Sequence, residues 1–244
     1  MSIFKKLFGK NESQIDDSKF KVQSKLDFSS LDELIEQNAG LSFEKQLIFG
    51  NIIGSKAWGL DMAKGTISFG ELSFPIQIIG SLAFNNLSWM WGWANTQSGM
   101  PENLLVQSHQ LKELGDKKGI KELSERHFST SQGFEHKIGM LSCGFFNAKS
   151  YYCANYGQGT MVVTIDDDQI PAVDKNNVES ILTNFPQLIS GTELNHKRAF
   201  LNYLIDRDFK IAISENIIEG LRNNKVVIGD FDEANRLKSL NGKL

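Results

Sequence analysis

The chain has 244 residues, 41% of them hydrophobic, with 26 Lys+Arg against 29 Asp+Glu for a formal net charge of −3. Only four residues are proline, so neither a disordered tail nor a collagen-like repeat fits, and the length is enough to bury a sizeable core without disulfide staples. The mixed charge argues against a general nucleic-acid binder, which needs a basic face to displace counterions, and no stretch approaches the ~18 consecutive apolar residues of a membrane span.

The first ten residues are basic and amphipathic, with Ile3, Phe4, Leu7 and Phe8 set among three lysines. No apolar core or cleavage site of a secretory signal follows. The readings are a membrane-skimming segment, a mobile tail, or a helix docked on its own core. Residues 11 to 29 are polar and complete an N-terminal tail and linker. From Ser30, the series Leu31, Leu34, Ile35, Leu41, Phe43, Leu47 and Ile48 recurs at helical spacing. Ser30 suits the N-cap, with Glu33 completing a capping box. Asn38-Ala39-Gly40 divides this region into two helices, the second ending near Asn51.

The pattern then changes to strand. Residues 57–62 and 66–69 flank Ala63-Lys64-Gly65 as a hairpin. Phe74 to Leu82 is a third strand, headed by Pro75 where a strand tolerates it, and Leu87 to Ala94 is a fourth. On the fourth, Trp89, Trp91 and Trp93 alternate with small or flexible residues, and strand period two predicts all three indoles on one face. That face is either an aromatic platform for a ligand or a sheet surface covered by the chain's own helices.

Pro101 sits at a good first helical position, and Leu104, Leu105, His109, Leu111 and Leu114 continue the helix to Gly115. A short helix is predicted from Gly119 to Glu125, and another from Phe134 to Asn147. Strands at 151–156 and 160–166 follow, joined at Gly157-Gln158-Gly159. Beyond Pro171 two helices are predicted, around Val178–Phe185, with Pro186 ending or kinking the first, and around Phe200–Ile205. The apolar runs 209–213 and 226–228 are separated by a short predicted helix from Ser214 to Leu221.

Motif-marked chemistry is absent: no P-loop, no Gly-x-Ser-x-Gly elbow, no His-Glu-x-x-His and no Gly-x-Gly-x-x-Gly opening a helix. No catalytic residue, cofactor or metal is assigned. Cys143 and Cys153 make no disulfide framework and no zinc spacing; without a signal peptide they belong most simply in a reducing cytoplasm. His136 and Cys143 share a helix face, but at ~1.5 Å rise per residue their backbones are ~10 Å apart, too far for a thiol–imidazole hydrogen bond. Asp166-Asp167-Asp168 could ligate a hard cation or form a solvated turn.

The residues Trp58-x-Leu60-Asp61, Thr66-Ile67-Ser68-Phe69, Ile78-x-Gly80-Ser81 and Trp89-Met90-Trp91-Gly92-Trp93-Ala94-Asn95, followed by Pro101, Gly115, Gly119-Ile120 and Leu123, carry a resemblance. Over residues 30 to 166 the chain resembles an uncharacterised bacterial domain family with a Trp-x-Trp-x-Trp-Ala-Asn strand. The resemblance implies a soluble α+β domain of unknown function, with no catalytic residues to carry over. Its context in toxin–immunity loci suggests an immunity protein.

Together these readings predict an α+β protein: an antiparallel sheet of about six strands packed by helices, with a C-terminal helix-rich segment. The expected division is a tail at 1–29, a core domain at 30–169 and an extension at 170–244 docked on the core. The leading expectation is a non-enzymatic, cytoplasmic immunity protein that binds a toxin or effector directly, because inhibition needs a complementary surface and no reacting group. Asp166, Asp167, Asp168 and Asp174 are its candidate contacts. The alternative is a small-molecule-binding protein or enzyme with a pocket at Trp89, Trp91, Trp93, Asn95 and His109. A third reading is an envelope-associated adaptor held by residues 1 to 10.

Overall fold

A computed structural model describes residues 17–243, so the amphipathic stretch with Ile3, Phe4, Leu7 and Phe8 lies outside the described residues. The first element, α1 (Leu31–Ile53), is one helix of 23 residues where two were expected. Its start follows the sequence: Ser30 Oγ accepts from Glu33 N at 3.2 Å, and Glu33 Oε2 accepts from Ser29 N at 2.7 Å. Asn38-Ala39-Gly40 does not break it. Asn38 Nδ2 donates back to the Leu34 carbonyl at 2.8 Å, and Gly40 lies so close to another helix that a Cβ there would sit 2.4 Å from Tyr203 Cβ. The three residues that resemble a turn signal serve close helix packing instead.

The strands β1 (Trp58–Asp61), β2 (Thr66–Phe69), β3 (Leu72–Ala83) and β4 (Ser88–Trp91) form an antiparallel meander. β3 is the pivot of a seven-stranded sheet. Its first half pairs with β2 and its second with β4, while its other edge runs along β7 (Gly159–Ile165), which pairs with β6 (Ser150–Asn155). A bulge between Ile78 and Gly80 relaxes the register against β7, and Gly80 admits the Trp89 indole, whose Cζ2 would be 2.5 Å from a Cβ. The short strand β5 (His127–Ser129), which the sequence reading missed, completes the sheet beside β4. Between β4 and β5 lie α2 (Val106–Lys118) and α3 (Lys121–Ser124), and α4 (Phe134–Phe145) precedes β6.

α1 and α4 pack together, with α4 lying on β6 and β7. Two apolar clusters join the helices to this sheet, one around Leu34, Ile79, Trp89, Trp91 and Ile138, the other around Phe49, Phe69, Phe74 and Val163. Their rings meet edge-on, as ring quadrupoles favour: Phe69 and Tyr152 at 4.9 Å, Trp89 and Trp91 at 5.3 Å.

Beyond residue 169 the helix-rich expectation is corrected. α5 (Glu179–Gly191) continues through Pro186, held by buried Ile181, Phe185 and Leu188, and α6 (His196–Asp206) is capped by Asn195 Oδ1, which accepts from Arg198 N at 3.0 Å. The remainder is strand. β8 (Lys210–Ser214), β9 (Ile217–Arg222), β10 (Lys225–Phe231) and β11 (Leu237–Lys243) form a second, four-stranded antiparallel sheet. The segment expected as a helix from Ser214 to Leu221 contributes β9: Ile218 and Gly220 face α6, while Leu221 on the opposite face is covered by Phe20 of the linker. Left-handed backbone at Asn223 (φ 48°) and Asn224 (φ 60°) makes the tight β9–β10 hairpin. A third apolar cluster spans both parts of the chain, from Ala39, Met140 and Tyr151 to Phe185, Phe200 and Phe231. The linker also takes part: Phe20 is buried against Leu221 and Val226, and Lys21 bridges Ile211.

Candidate functional site

The tryptophan strand is short. It ends at Trp91, and Gly92–Ala94 turns into a 3-10 helix, so Trp93 leaves the alternation that would have aligned three indoles. Trp89 and Trp91 are both 0% exposed. Trp91 Nε1 donates to the Glu122 carbonyl at 2.8 Å, tying β4 to α3. Trp93 is half-buried beneath Lys112, whose Nζ lies 5.5 Å from its ring centroid. The two remaining members of this proposed pocket point to other partners. Asn95 Oδ1 accepts from Ser98 Oγ at 2.8 Å, and His109 Nε2 lies 3.3 Å from Glu102 Oε2. The structure places the first two indoles in the core.

The acidic residues occupy the connection between β7 and α5. Asp166, Asp168 and Asp174 are exposed and Asp167 is half-buried. Asp167 Oδ1 accepts from Gln169 N and Asp174 Oδ1 from Asn176 N, at 2.8 and 2.9 Å, so both side chains brace turns in their own loop. Asp168 has Lys149 Nζ at 3.4 Å. The loop is also held from beneath by Arg207, which is fully buried and donates through Nη2 to the carbonyls of Asp174 and Asn177 at 3.0 and 2.6 Å. Its Nη1 pairs with the Glu44 carboxylate, which also accepts from Tyr203 Oη at 2.7 Å and from Ser180 Oγ at 2.8 Å.

His136 and Cys143 do not meet, as their spacing along α4 requires. Cys143 is buried, its Sγ 3.5 Å from the Ala148 carbonyl, and burial pushes its thiol pKa up to about 11. His136 instead meets Cys153 across the α4–β6 contact, with Nδ1 3.6 Å from Sγ and the imidazole edge-on to Tyr151. Sequence spacing offered no signal for this pair, because it is set by the docking of a helix on a strand. Burial, and secondarily the charge of Glu135, raise the Cys153 thiol pKa far above its ordinary value. A thiol kept protonated is a weak nucleophile, so the one close thiol–imidazole pair is poorly suited to covalent catalysis. Glu135 is itself buried, with Oε2 lacking a hydrogen-bond partner. Among the described residues no group of three or more His, Cys, Asp or Glu side chains could hold a metal ion, and no helix is long and apolar enough to cross a membrane.

Fold and surface thus define an α+β protein of two antiparallel sheets bridged by packed helices. Residues 32–168, more than half of the chain, match the family of unknown function DUF6882, and the chain belongs to that family. The matched segment ends within the acidic loop, so α5, α6 and the second sheet lie outside it. No curated protein and no solved structure matches the chain.

Proposed function

We propose that this is a non-enzymatic protein-binding protein, an immunity protein of the bacterial cytoplasm that neutralises a toxin by direct contact through the acidic loop. The observation that supports this reading is the bracing of that loop. Arg207 holds two of its carbonyls from below, two aspartates close turns within it, and Asp166, Asp168 and Asp174 stand exposed on a preorganised backbone. A braced surface loses little conformational entropy on binding, and like-signed charges steer a basic partner. The protonated thiol of Cys153 and the burial of Trp89 and Trp91 both weigh against an enzyme at those positions.

The test is an affinity pull-down of the tagged protein from its native host, with neighbouring gene products in the search. A stoichiometric toxin that is lost when Asp166, Asp168 and Asp174 are all changed to Lys supports the reading. A partner retained by that triple variant, or none at all, counts against it.

A further inference from the structure

A cavity of about 230 Å³ lies where α1, α4 and β6 of the family segment meet α5 of the extension. Its apolar walls are Phe43, Met140, Tyr151 and Leu188, and the polar groups around it belong to Gln46, His136, Gln187 and Thr192. We propose that this cavity binds a small, uncharged aromatic molecule with one hydrogen-bonding group, of the phenol or indole class. This inference goes beyond the toxin-binding reading and uses a different surface.

Size, charge and chemistry support it together. An apolar cavity of ~150 Å³ is enough to hold a benzene ring, so this one accommodates a ring with a substituent or a fused second ring. Phe43, Tyr151 and Met140 line it, and aromatic rings and a thioether are favourable neighbours for an aromatic guest. No Lys, Arg, Asp or Glu lines it, and a charged ligand would shed water without gaining a counterion. Two carboxamides and a hydroxyl supply neutral donors and acceptors instead. His136 Nδ1 lies against Cys153 Sγ at 3.6 Å, and a neutral imidazole carries one donor and one acceptor nitrogen. Because the walls come from both sides of the junction, an occupant would also fasten α5 to α4.

The full-length protein, labelled at its methionine methyl groups, is titrated with phenol and indole and, for contrast, with indole-3-acetate and tryptamine. The Met140 resonance is assigned through Met140→Leu. We expect saturable shifts of that resonance with the two neutral rings, at least tenfold weaker binding of the charged analogues, and a thermal midpoint that rises with neutral-ring concentration, as binding to the native state requires. Gln187→Trp, at an exposed position on the rim, should fill the cavity and abolish the shifts. No saturable shift, equal binding of charged and neutral rings, or shifts unchanged in a folded Gln187→Trp variant would each overturn the proposal. Should that variant not fold, the neutral-against-charged contrast in the unaltered protein still decides.

Discussion

Arg207 and Glu44 form a buried ion pair across 163 positions of sequence, with Nη1 and Oε2 2.5 Å apart. Glu44 lies on α1 inside the family segment, and Arg207 follows α6 outside it. A buried charge is tolerable only when paired and hydrogen-bonded, so each half of the chain supplies what the other needs.

Replacing Arg207 by Met should leave Glu44 buried without its cation and lower stability by ~3–5 kcal/mol. Exchanging both partners, Glu44→Met with Arg207→Met, should recover much of that loss, because two apolar side chains remove the desolvation penalty together. Urea denaturation of the two single variants and the double variant measures the coupling; strictly additive losses would contradict it.

A chain ending at residue 169 would expose Ala39, Met140, Ala148 and Tyr151, which are buried in the cluster shared with α5 and α6. We expect this fragment to lose cooperative unfolding. A sharp calorimetric transition for the fragment alone would show that residues up to 169 stabilise themselves.

Gly40→Ala tests the packing of α1 on α6. In an open helix the change would stabilise by ~1 kcal/mol. Here the new methyl would fall 2.4 Å from Tyr203 Cβ and 2.5 Å from Cγ, and overpacking costs ~1–3 kcal/mol or more. The clash wins, so the urea midpoint should fall; a rise would place α6 farther from α1.

Trp91→Ala should cost ~3–5 kcal/mol, as large-to-small changes in a filled core do, and it also leaves the Glu122 carbonyl without its indole donor. Trp93→Ala should cost less, since that side chain is only half-buried. Equal losses at the two positions would refute this assignment.

The Asp206 carboxyl is raised above its ordinary value of 3.8 by burial, a shift that its ion pair with Lys25 Nζ at 2.8 Å only partly offsets. The folded state therefore holds this proton more tightly than the unfolded state. Its contribution is fully present below 3.8 and is lost as pH rises through the folded value. Relative to Asp206→Asn, the unaltered protein should lose stability as the pH rises above 3.8 and through the raised folded value. A difference between the two proteins that does not change as the pH rises from 3.8 would be inconsistent with the raised carboxyl.

The sequence by itself determined what neighbouring residues decide. The Ser30 cap with Glu33, the β1–β2 hairpin around Gly65 and the helical stripe of α4 are visible because caps, turns and side-chain periodicity act within a few residues. The same reasoning failed where local patterns are ambiguous. Asn38-Ala39-Gly40 looks like a break until Tyr203 is laid against it, and Ile217, Ile218 and Leu221 suit a helix until the Asn223–Asn224 hairpin sets their alternation. That pair of asparagines is itself a turn signal. The candidate sites depended still more on tertiary structure. The meeting of His136 with Cys153, the support of the acidic loop by Arg207 and the cavity between α4 and α5 exist only once distant elements dock. Their energies come from desolvation and packing between segments far apart in the chain, which spacing along the sequence does not encode.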